Sequence, residues 1–287
     1  MSQHHVIDWR NLPTGNHRTS CPACGRGKHD KTLGATVDHD GNGVAHCFRC
    51  EFVETYRPSQ PEREYRQRLP QRPVRVEQAT PQHTTLSEAG RAIWRASRSI
   101  APDDVAGQYL TARQCVLPPP GSHLRWLPSH RHFSGYSGPA LVALLTDATD
   151  GTPRSLHFTW VKPDGKKADV EPPRLLFKGH RKAGAVCRLW PDSEVTHGLG
   201  IAEGIETALS LAHAFQPVWA CIDAGNLAQL PVLPGVGALV VAQDRDPAGE
   251  RAAAECAARW VAAGCEVAVT GQTDNDINDV AQTGAGA

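Results

Sequence analysis

Two short apolar segments, each followed by carboxylates and then by a helical pattern, constrain the fold of this chain most. The first, residues 199–202, ends directly at Glu203. The second, residues 238–242, leads into Asp244 and Asp246. Apolar runs of this length that precede helices are typical of buried parallel strands. Because such sheets bind ligands beyond the carboxyl ends of their strands, the sequence predicts that the three carboxylates meet at one edge.

These carboxylates suit Mg²⁺ or Mn²⁺, because hard divalent cations prefer oxygen ligands and leave positions open for phosphate oxygens. We therefore predict a metal-dependent phosphotransfer site at Glu203, Asp244 and Asp246. An alternative stays open, in which the acids are solvated strand ends or helix N-caps. It applies best to Asp246, which precedes Pro247 as at an ordinary helix start.

The net charge of zero over 287 residues conceals a basic and an acidic segment. Residues 121–190 contain 11 Lys or Arg against 5 Asp or Glu, and residues 191–287 contain 3 against 13. This asymmetry suggests that the first segment binds a polyanion and the second binds cations, although a solvated surface would show the same composition. No apolar run is long enough to span a membrane and the N-terminus has no signal-peptide core, so we expect a cytoplasmic protein.

Four of the nine cysteines form two Cys-x-x-Cys pairs, Cys21 with Cys24 and Cys47 with Cys50. Two such pairs place four thiolates around one zinc ion, and a hairpin signal at residues 40–42 completes the pattern of a zinc ribbon. We expect a structural Zn²⁺ ion that supplies folding energy to a module with a small core. A redox role for either pair is the alternative, which the presence of two pairs at this spacing disfavours.

The remaining patterns divide the chain into four parts and indicate a mixed α/β protein. Residues 1–56 form the predicted zinc ribbon, and residues 57–83, rich in Pro, Arg and Gln, form a predicted flexible linker. Residues 84–190 show helices followed by strands, which predicts a basic α+β part. In residues 191–287 strands alternate with helices, which predicts a parallel α/β domain. Its strands are expected at 199–202, 218–222, 238–243 and 266–270, and its helices at about 205–214, 226–230 and 248–263.

Three elements resemble the Toprim fold, which bacterial-type DNA primases share with type IA and II topoisomerases and some nucleases. Residues 201–209 (IAEGIETAL) resemble its first motif, residues 242–251 (AQDRDPAGER) its second, and residues 276–280 (DINDV) its closing element. Residues 109–113 (YLTAR) and 139–189 resemble parts of the primase core. With the cysteine module, the chain is similar to DNA primases of the phage and plasmid class, whereas many cellular primases have three cysteines and one histidine.

The resemblance implies a DNA primase that makes short RNA primers on single-stranded DNA by metal-dependent nucleotidyl transfer. Asp244 and Asp246 would hold Mg²⁺ or Mn²⁺, Glu203 would be a further ligand or the general base, and the roles of Asp276 and Asp279 stay open. The zinc ribbon would read template bases. A replicative helicase is expected in trans, because the sequence has no Walker A motif. The residues expected to bind nucleoside triphosphates and template are Arg113, Lys162, Lys166, Lys167, Lys178, Arg181, Lys182 and Arg188.

Other functions remain open at this point. A Toprim nuclease would use the same acids but release nucleotides, and a non-catalytic zinc-ribbon protein would bind DNA without any need for Asp244. The zinc ribbon and the basic part favour the primase over the nuclease. A topoisomerase is disfavoured. Such an enzyme needs a nucleophilic tyrosine in a large separate domain, and none of the four tyrosines of this sequence has such a context.

Overall fold

The computed structural model describes residues 6–25, 30–59 and 83–270. Contacts divide the chain into two compact units, an N-terminal unit (Met1–Ala79) and a C-terminal unit (Thr80–Ala287). Most of the predicted linker, and Asp276 and Asp279 of the predicted closing element, lie outside the described residues.

Four strands form the N-terminal unit. They are β1 (Gly15–Thr19), β2 (Leu33–Val37), β3 (Gly43–Cys47) and β4 (Val53–Tyr56). They pair in chain order as an antiparallel sheet. β2 and β3 form the hairpin that the sequence predicts, and Gly41 in its turn has a φ of 81°, which glycine adopts without strain.

Trp9 closes the small core of this unit. Its ring stacks on Tyr56 with the ring centroids 5.8 Å apart, and its indole N–H donates to the Glu54 carboxylate at 2.6 Å. Gly43 lies against the same ring, where an added Cβ would be 2.3 Å from a Trp9 carbon. A unit of this size buries too little apolar surface to be stable without further cross-links, which zinc can provide.

The C-terminal unit contains five helices and nine strands within the described residues. The helices are α1 (Glu88–Ala96), α2 (Val105–Ala112), α3 (Ile205–Leu211), α4 (Ala224–Ala228) and α5 (Pro247–Ala262). The strands are β5 (Leu124–Arg131), β6 (Ser137–Asp147), β7 (Pro153–Trp160), β8 (Arg174–Leu176), β9 (Ala185–Arg188), β10 (Gly198–Ala202), β11 (Val218–Ala220), β12 (Ala238–Ala242) and β13 (Glu266–Thr270).

These strands form one continuous mixed sheet in the order β13-β12-β10-β11-β9-β6-β7-β8, with β5 paired to β6. The pairs among β10, β11, β12 and β13 are parallel, and the other pairs are antiparallel. The parallel strands confirm the predicted strand–helix alternation. The sequence did not predict that β9 pairs with β11, which extends the sheet across residue 190 into the basic part.

Helices cover both faces of the parallel strands, as the predicted fold requires. On one face, α3 packs Leu209 into a hydrophobic cluster that also contains Tyr109 and Leu189. On the other face, α5 packs the fully buried Trp260 into a cluster that contains Leu199. The first cluster therefore draws on both the basic part and the acidic part of the unit. None of the helices in the described ranges is long and apolar enough to cross a membrane.

Candidate functional site

The four cysteines predicted to bind zinc converge in the N-terminal unit. Their sulfur atoms all lie within 4.8 Å of one another, with Cys21 Sγ 3.7 Å from Cys50 Sγ and Cys24 Sγ 3.6 Å from Cys47 Sγ. Four zinc–sulfur bonds of about 2.3 Å in a tetrahedron place the sulfur atoms roughly 3.8 Å apart, whereas a disulfide needs about 2.05 Å. The spacing fits a four-thiolate zinc site, and the predicted cysteine cluster is confirmed.

The backbone around the cluster is arranged for thiolate ligands. The Ala23 N–H donates to Cys21 Sγ and the Arg49 N–H donates to Cys47 Sγ, both at 3.4 Å. The Arg49 guanidinium also donates to the Asp30 carboxylate at 2.9 Å, which holds the loop before β2 against the turn after β3. Each sulfur pair thus receives a backbone donor that stabilises negative charge.

A second group of side chains lies at the carboxyl edge of the parallel strands. β10 and β12 are paired in register up to Ala202 and Ala242, the last residue of each strand. Glu203 follows β10 directly and Asp244 follows β12 by two residues. The chain therefore delivers both acids to the same edge of the sheet, as the strand pattern predicts.

The carboxylates at this edge interact electrostatically. The pKa of Glu203 is raised to about 7, first by burial and then by the charges of Asp244, Asp246 and Asp223, while Arg174 opposes the rise. Acids that raise one another's pKa form a site where a divalent cation is attracted. Within the described ranges the cysteines are the one set of three or more ligand atoms within 4.8 Å of one another, so the carboxylates of the acidic edge lie farther apart than the four sulfur atoms.

The raised pKa of Glu203 predicts a pH-dependent stability in magnesium-free buffer. The ordinary pKa of a glutamate is 4.5, and that of Glu203 in the folded state is about 7. Between these pH values the Glu203 carboxyl is protonated in the folded state and ionised in the unfolded state. This group therefore contributes stability that declines as the pH rises through that window. We expect Glu203→Gln to remove the decline, so that the variant gains stability relative to wild type between pH 4 and pH 8. Urea unfolding at several pH values measures the difference, and parallel pH profiles would contradict the prediction.

Asp246 has a structural role as well as a place at this edge. Its Oδ1 accepts a hydrogen bond from the Gly249 N–H at 2.7 Å and caps α5, so the capping alternative describes a real interaction. Gly249 also packs tightly on Asp244, because an added Cβ would lie 2.7 Å from the Asp244 carbonyl oxygen. The cap uses one carboxylate oxygen of Asp246, which is compatible with cation binding through the other.

A fourth acid at this edge, Asp223, was not predicted. It caps α4 through the Asn226 N–H at 2.9 Å and pairs with Lys182 at 2.8 Å. The preceding Ile222 has a φ of 73°, which a β-branched residue rarely adopts, and its N–H donates to the Glu203 carbonyl oxygen at 2.7 Å. Backbone strain of this kind is concentrated at functional sites. The sequence pattern that predicted Glu203 applies to Asp223 as well, because Asp223 also directly follows an apolar run.

Glu206 was also missed, although its buried carboxylate has three side-chain partners. It is 4% exposed, and Arg174 Nη2 donates to both of its carboxylate oxygens at 2.9 Å. The Tyr109 hydroxyl donates at 2.8 Å, and Lys167 Nζ lies 3.8 Å away. Burial alone would raise the pKa of Glu206, but these cations and the hydrogen bond hold it well below its usual range.

Loss of this carboxylate should destabilise the C-terminal unit. We expect Glu206→Ala to lower the free energy of unfolding by about 3 kcal/mol, because it leaves the buried Tyr109 hydroxyl without its acceptor and breaks the ion pair with Arg174. Urea unfolding measures the change. Glu255→Ala, on the exposed surface of α5, is the matched control and should change stability by less than about 0.5 kcal/mol. Equal stabilities of the two variants would contradict this role.

The basic residues predicted to bind nucleotide or template occupy different environments. Lys182 reaches the acidic edge through its ion pair with Asp223. Lys162 pairs with Asp169 at 2.6 Å. Arg113 is half-buried and donates to the Gly165 carbonyl oxygen at 3.4 Å. The predicted residues that are exposed to solvent are Lys166, Lys178, Arg181 and Lys182.

The structure contradicts the prediction for Arg188, which is 4% exposed. Its guanidinium donates to Asp192 at 2.6 Å, to the Thr146 hydroxyl and to the Asp147 carbonyl oxygen at 3.0 Å. It also lies over the Trp219 ring, 4.5 Å from the centroid. These contacts join β9 to β6 and β11, so Arg188 stabilises the sheet and does not reach a template.

Comparison with protein families identifies the acidic part of the chain. Residues 198–286 match the Toprim domain, and residues 84–188 match a domain family of unknown function, DUF7146. Residues 198–286 are a Toprim domain. The match confirms the resemblance of residues 201–209 and 242–251 to Toprim motifs. No curated protein sequence matches the chain.

Solved primase structures resemble the chain over most of its length. The primase fragment of the bacteriophage T7 primase-helicase protein is 15% identical, with a TM-score of 0.42 over 94% of this chain and 95% of that one. The zinc-binding and RNA polymerase domains of Aquifex aeolicus primase are 13% identical, with a TM-score of 0.45 over 94% and 76%. A DNA primase domain from Pseudomonas aeruginosa is 14% identical, with a TM-score of 0.34 over 54% and 52%. With a four-cysteine cluster and a Toprim domain, the chain resembles a phage-type DNA primase.

Proposed function

We propose that this protein is a DNA primase, which joins nucleoside triphosphates into short RNA primers on single-stranded DNA. The observation that carries the proposal is the convergence of Glu203, Asp244 and Asp246 at the carboxyl edge of a Toprim domain, where burial and mutual repulsion raise the pKa of Glu203. The four-cysteine cluster and the exposed cations of the basic part accord with a nucleic-acid enzyme.

The acidic edge fits Mg²⁺ or Mn²⁺, because its donors are carboxylate oxygens and the electrostatic repulsion among them favours a divalent cation. Asp244 and Asp246 would hold the cation, and Glu203 would be a further ligand or the general base. When bound, such a cation neutralises triphosphate charge and lowers the pKa of the attacking hydroxyl.

Positioning is the main task of the protein residues in this reaction, because phosphoryl transfer needs little covalent assistance. With a pKa of about 7, Glu203 can accept a proton from the primer 3′-hydroxyl near neutral pH. The exposed side chains of Lys166, Lys178 and Arg181 would hold phosphates of the template or the incoming nucleotide.

The partners follow from the same proposal. Single-stranded DNA is the template, nucleoside triphosphates are the substrates, and a replicative helicase acts in trans. The N-terminal unit, with Zn²⁺ bound by its four cysteines, would contact template bases. We place this activity in the cytoplasm.

A priming assay tests the proposed function against the Toprim nuclease. The protein is incubated with labelled ribonucleotides, Mg²⁺ and a panel of single-stranded DNA templates, and the products are separated by size. We expect short labelled oligoribonucleotides that form only in the presence of template and Mg²⁺. A shortened template without labelled product would support the nuclease and overturn the primase.

A further inference from the structure

The buried carboxylate of Glu206 connects two separate segments of the C-terminal unit. It belongs to α3 in the Toprim domain, only three residues after Glu203. Its partners Tyr109, Lys167 and Arg174 all come from the basic part, on α2, on the segment after β7 and on β8. Glu206 is therefore one point at which the basic part is joined to the helix that follows the first acidic strand.

Arg174 is bound to this buried carboxylate and remains partly exposed to solvent. Its side chain is 43% exposed even though Nη2 donates to both Glu206 oxygens, so the side chain is both ordered and open to solvent. Its charge also acts on Glu203, whose pKa it lowers. A positive group that acts on Glu203 would also attract the negative charge of the proposed substrate.

We propose that Glu206 is a positioning residue that holds the Arg174 guanidinium beside the acidic edge, where Arg174 binds the phosphates of the incoming nucleoside triphosphate. The inference deepens the proposed function and rests on it. Lys167, 3.8 Å from Glu206, is held in the same way and adds a second positive charge.

The physical reason lies in the charge of the edge. Glu203, Asp244 and Asp246 repel a triphosphate, so a cationic group must be fixed nearby to assist the metal ions. A guanidinium has five N–H donors in a rigid plane, which match the oxygens of a phosphate group, and the Arg174 side chain is 43% exposed. An arginine that is already ordered loses less conformational entropy when it binds phosphate.

A purely structural ion pair would look similar in the folded protein but would behave differently in a double-mutant cycle. If Glu206 acts through Arg174, removing Arg174 removes the effect of Glu206 on nucleotide binding. If Glu206 serves stability alone, its replacement lowers the unfolding midpoint and leaves nucleotide affinity unchanged at temperatures where the variant is folded. Affinity therefore separates the two roles.

The experiment uses the full chain with zinc and compares wild type, Glu206→Gln, Arg174→Ala and the double variant. Equilibrium binding of ATP in the presence of Mg²⁺ is measured by calorimetry, and KM and kcat are measured in the priming assay. We expect each single variant to weaken ATP binding and raise KM about tenfold with kcat changed less than about threefold. The double variant should bind ATP no more weakly than Arg174→Ala. Glu255→Gln is the control and should match wild type.

Additive losses in the double variant, or unchanged ATP affinity in folded Glu206→Gln, would overturn the inference. Glu206→Asp retains the charge and should recover part of the affinity lost in Glu206→Gln. The two proposals fail separately. If the ATP affinities of the four proteins show the expected coupling but wild type makes no primers, the primase proposal is refuted. If wild type makes primers but the losses of ATP affinity are additive, the role of Glu206 is refuted. A wild-type protein that does not bind ATP refutes both.

Discussion

Asp244→Asn abolishes primer synthesis, with a decrease of at least about 10³-fold in rate. The substitution keeps the size of the side chain but removes one negative charge from the acidic edge. Loss of a catalytic cation's ligand removes several kcal/mol of transition-state stabilisation, and about 4 kcal/mol corresponds to this factor. Because Asp244 packs against Gly249 at the start of α5, an isosteric change is needed to keep the backbone in place.

The measurement is the initial rate of labelled primer formation at saturating nucleotide and Mg²⁺. Asp246→Asn should lose activity too while remaining folded, because an asparagine Oδ1 can still cap α5 through the Gly249 N–H. Glu255→Gln lies on the exposed surface of the same helix and should retain full activity. An Asp244→Asn protein with more than a tenth of the wild-type rate would refute the proposed site. Intact DNA binding with no catalysis even in wild type would favour the non-catalytic alternative.

Removal of zinc unfolds the N-terminal unit and leaves the C-terminal unit folded. The sulfur spacing of 3.6 and 3.7 Å fits a tetrahedral ion that joins the segment before β2 to the end of β3. In small metal-binding modules the structural ion contributes about 10–16 kcal/mol of apparent binding free energy, which exceeds the stability of most domains. The core around Trp9 is too small to compensate for its loss.

Hydrogen exchange, followed by mass spectrometry on the full chain, resolves the two units. After chelation, the amides of β2 and β3 should exchange at once, whereas those of β10 and β12 remain protected. Cys47→Ser should give the same pattern without chelator and should reduce the zinc content. Cys265→Ser, which alters a half-buried thiol outside the cluster, is the control and should retain the protection of β2 and β3 and the zinc content of wild type. Persistent protection of β2 and β3 without metal would contradict a structural zinc site.

Local sequence patterns were sufficient for the elements that carry the two sites. The apolar runs before Glu203 and Asp244 predicted β10 and β12 closely, because a buried parallel strand needs apolar residues on both faces and its end is marked by a change to polar residues. The cysteine cluster was equally predictable, since two Cys-x-x-Cys pairs have few other uses. In both cases the information lies within a few consecutive residues.

The residues that sequence reasoning missed or misplaced depend on contacts between distant segments. Glu206 looks like an ordinary acid in the first turn of a helix, and only the approach of Arg174 and Tyr109 makes it a buried centre of charge. Arg188 looks like part of a basic surface, yet β9 lies in the middle of the sheet and its guanidinium is used to join neighbouring strands. Charge and local pattern do not reveal that a short strand such as β9 is buried along its whole length.

The continuity of the C-terminal sheet limits how this protein can be divided or recombined. A fragment that ended after β9 would expose Tyr109 and Leu145, which pack in one hydrophobic cluster with Leu209 of α3. Exchange of the Toprim segment for that of a distant relative would replace Glu206 without replacing its partners on α2 and β8. We therefore expect that the acidic strands and the cationic strands can be exchanged only together, and that substitutions on either side are constrained by the other.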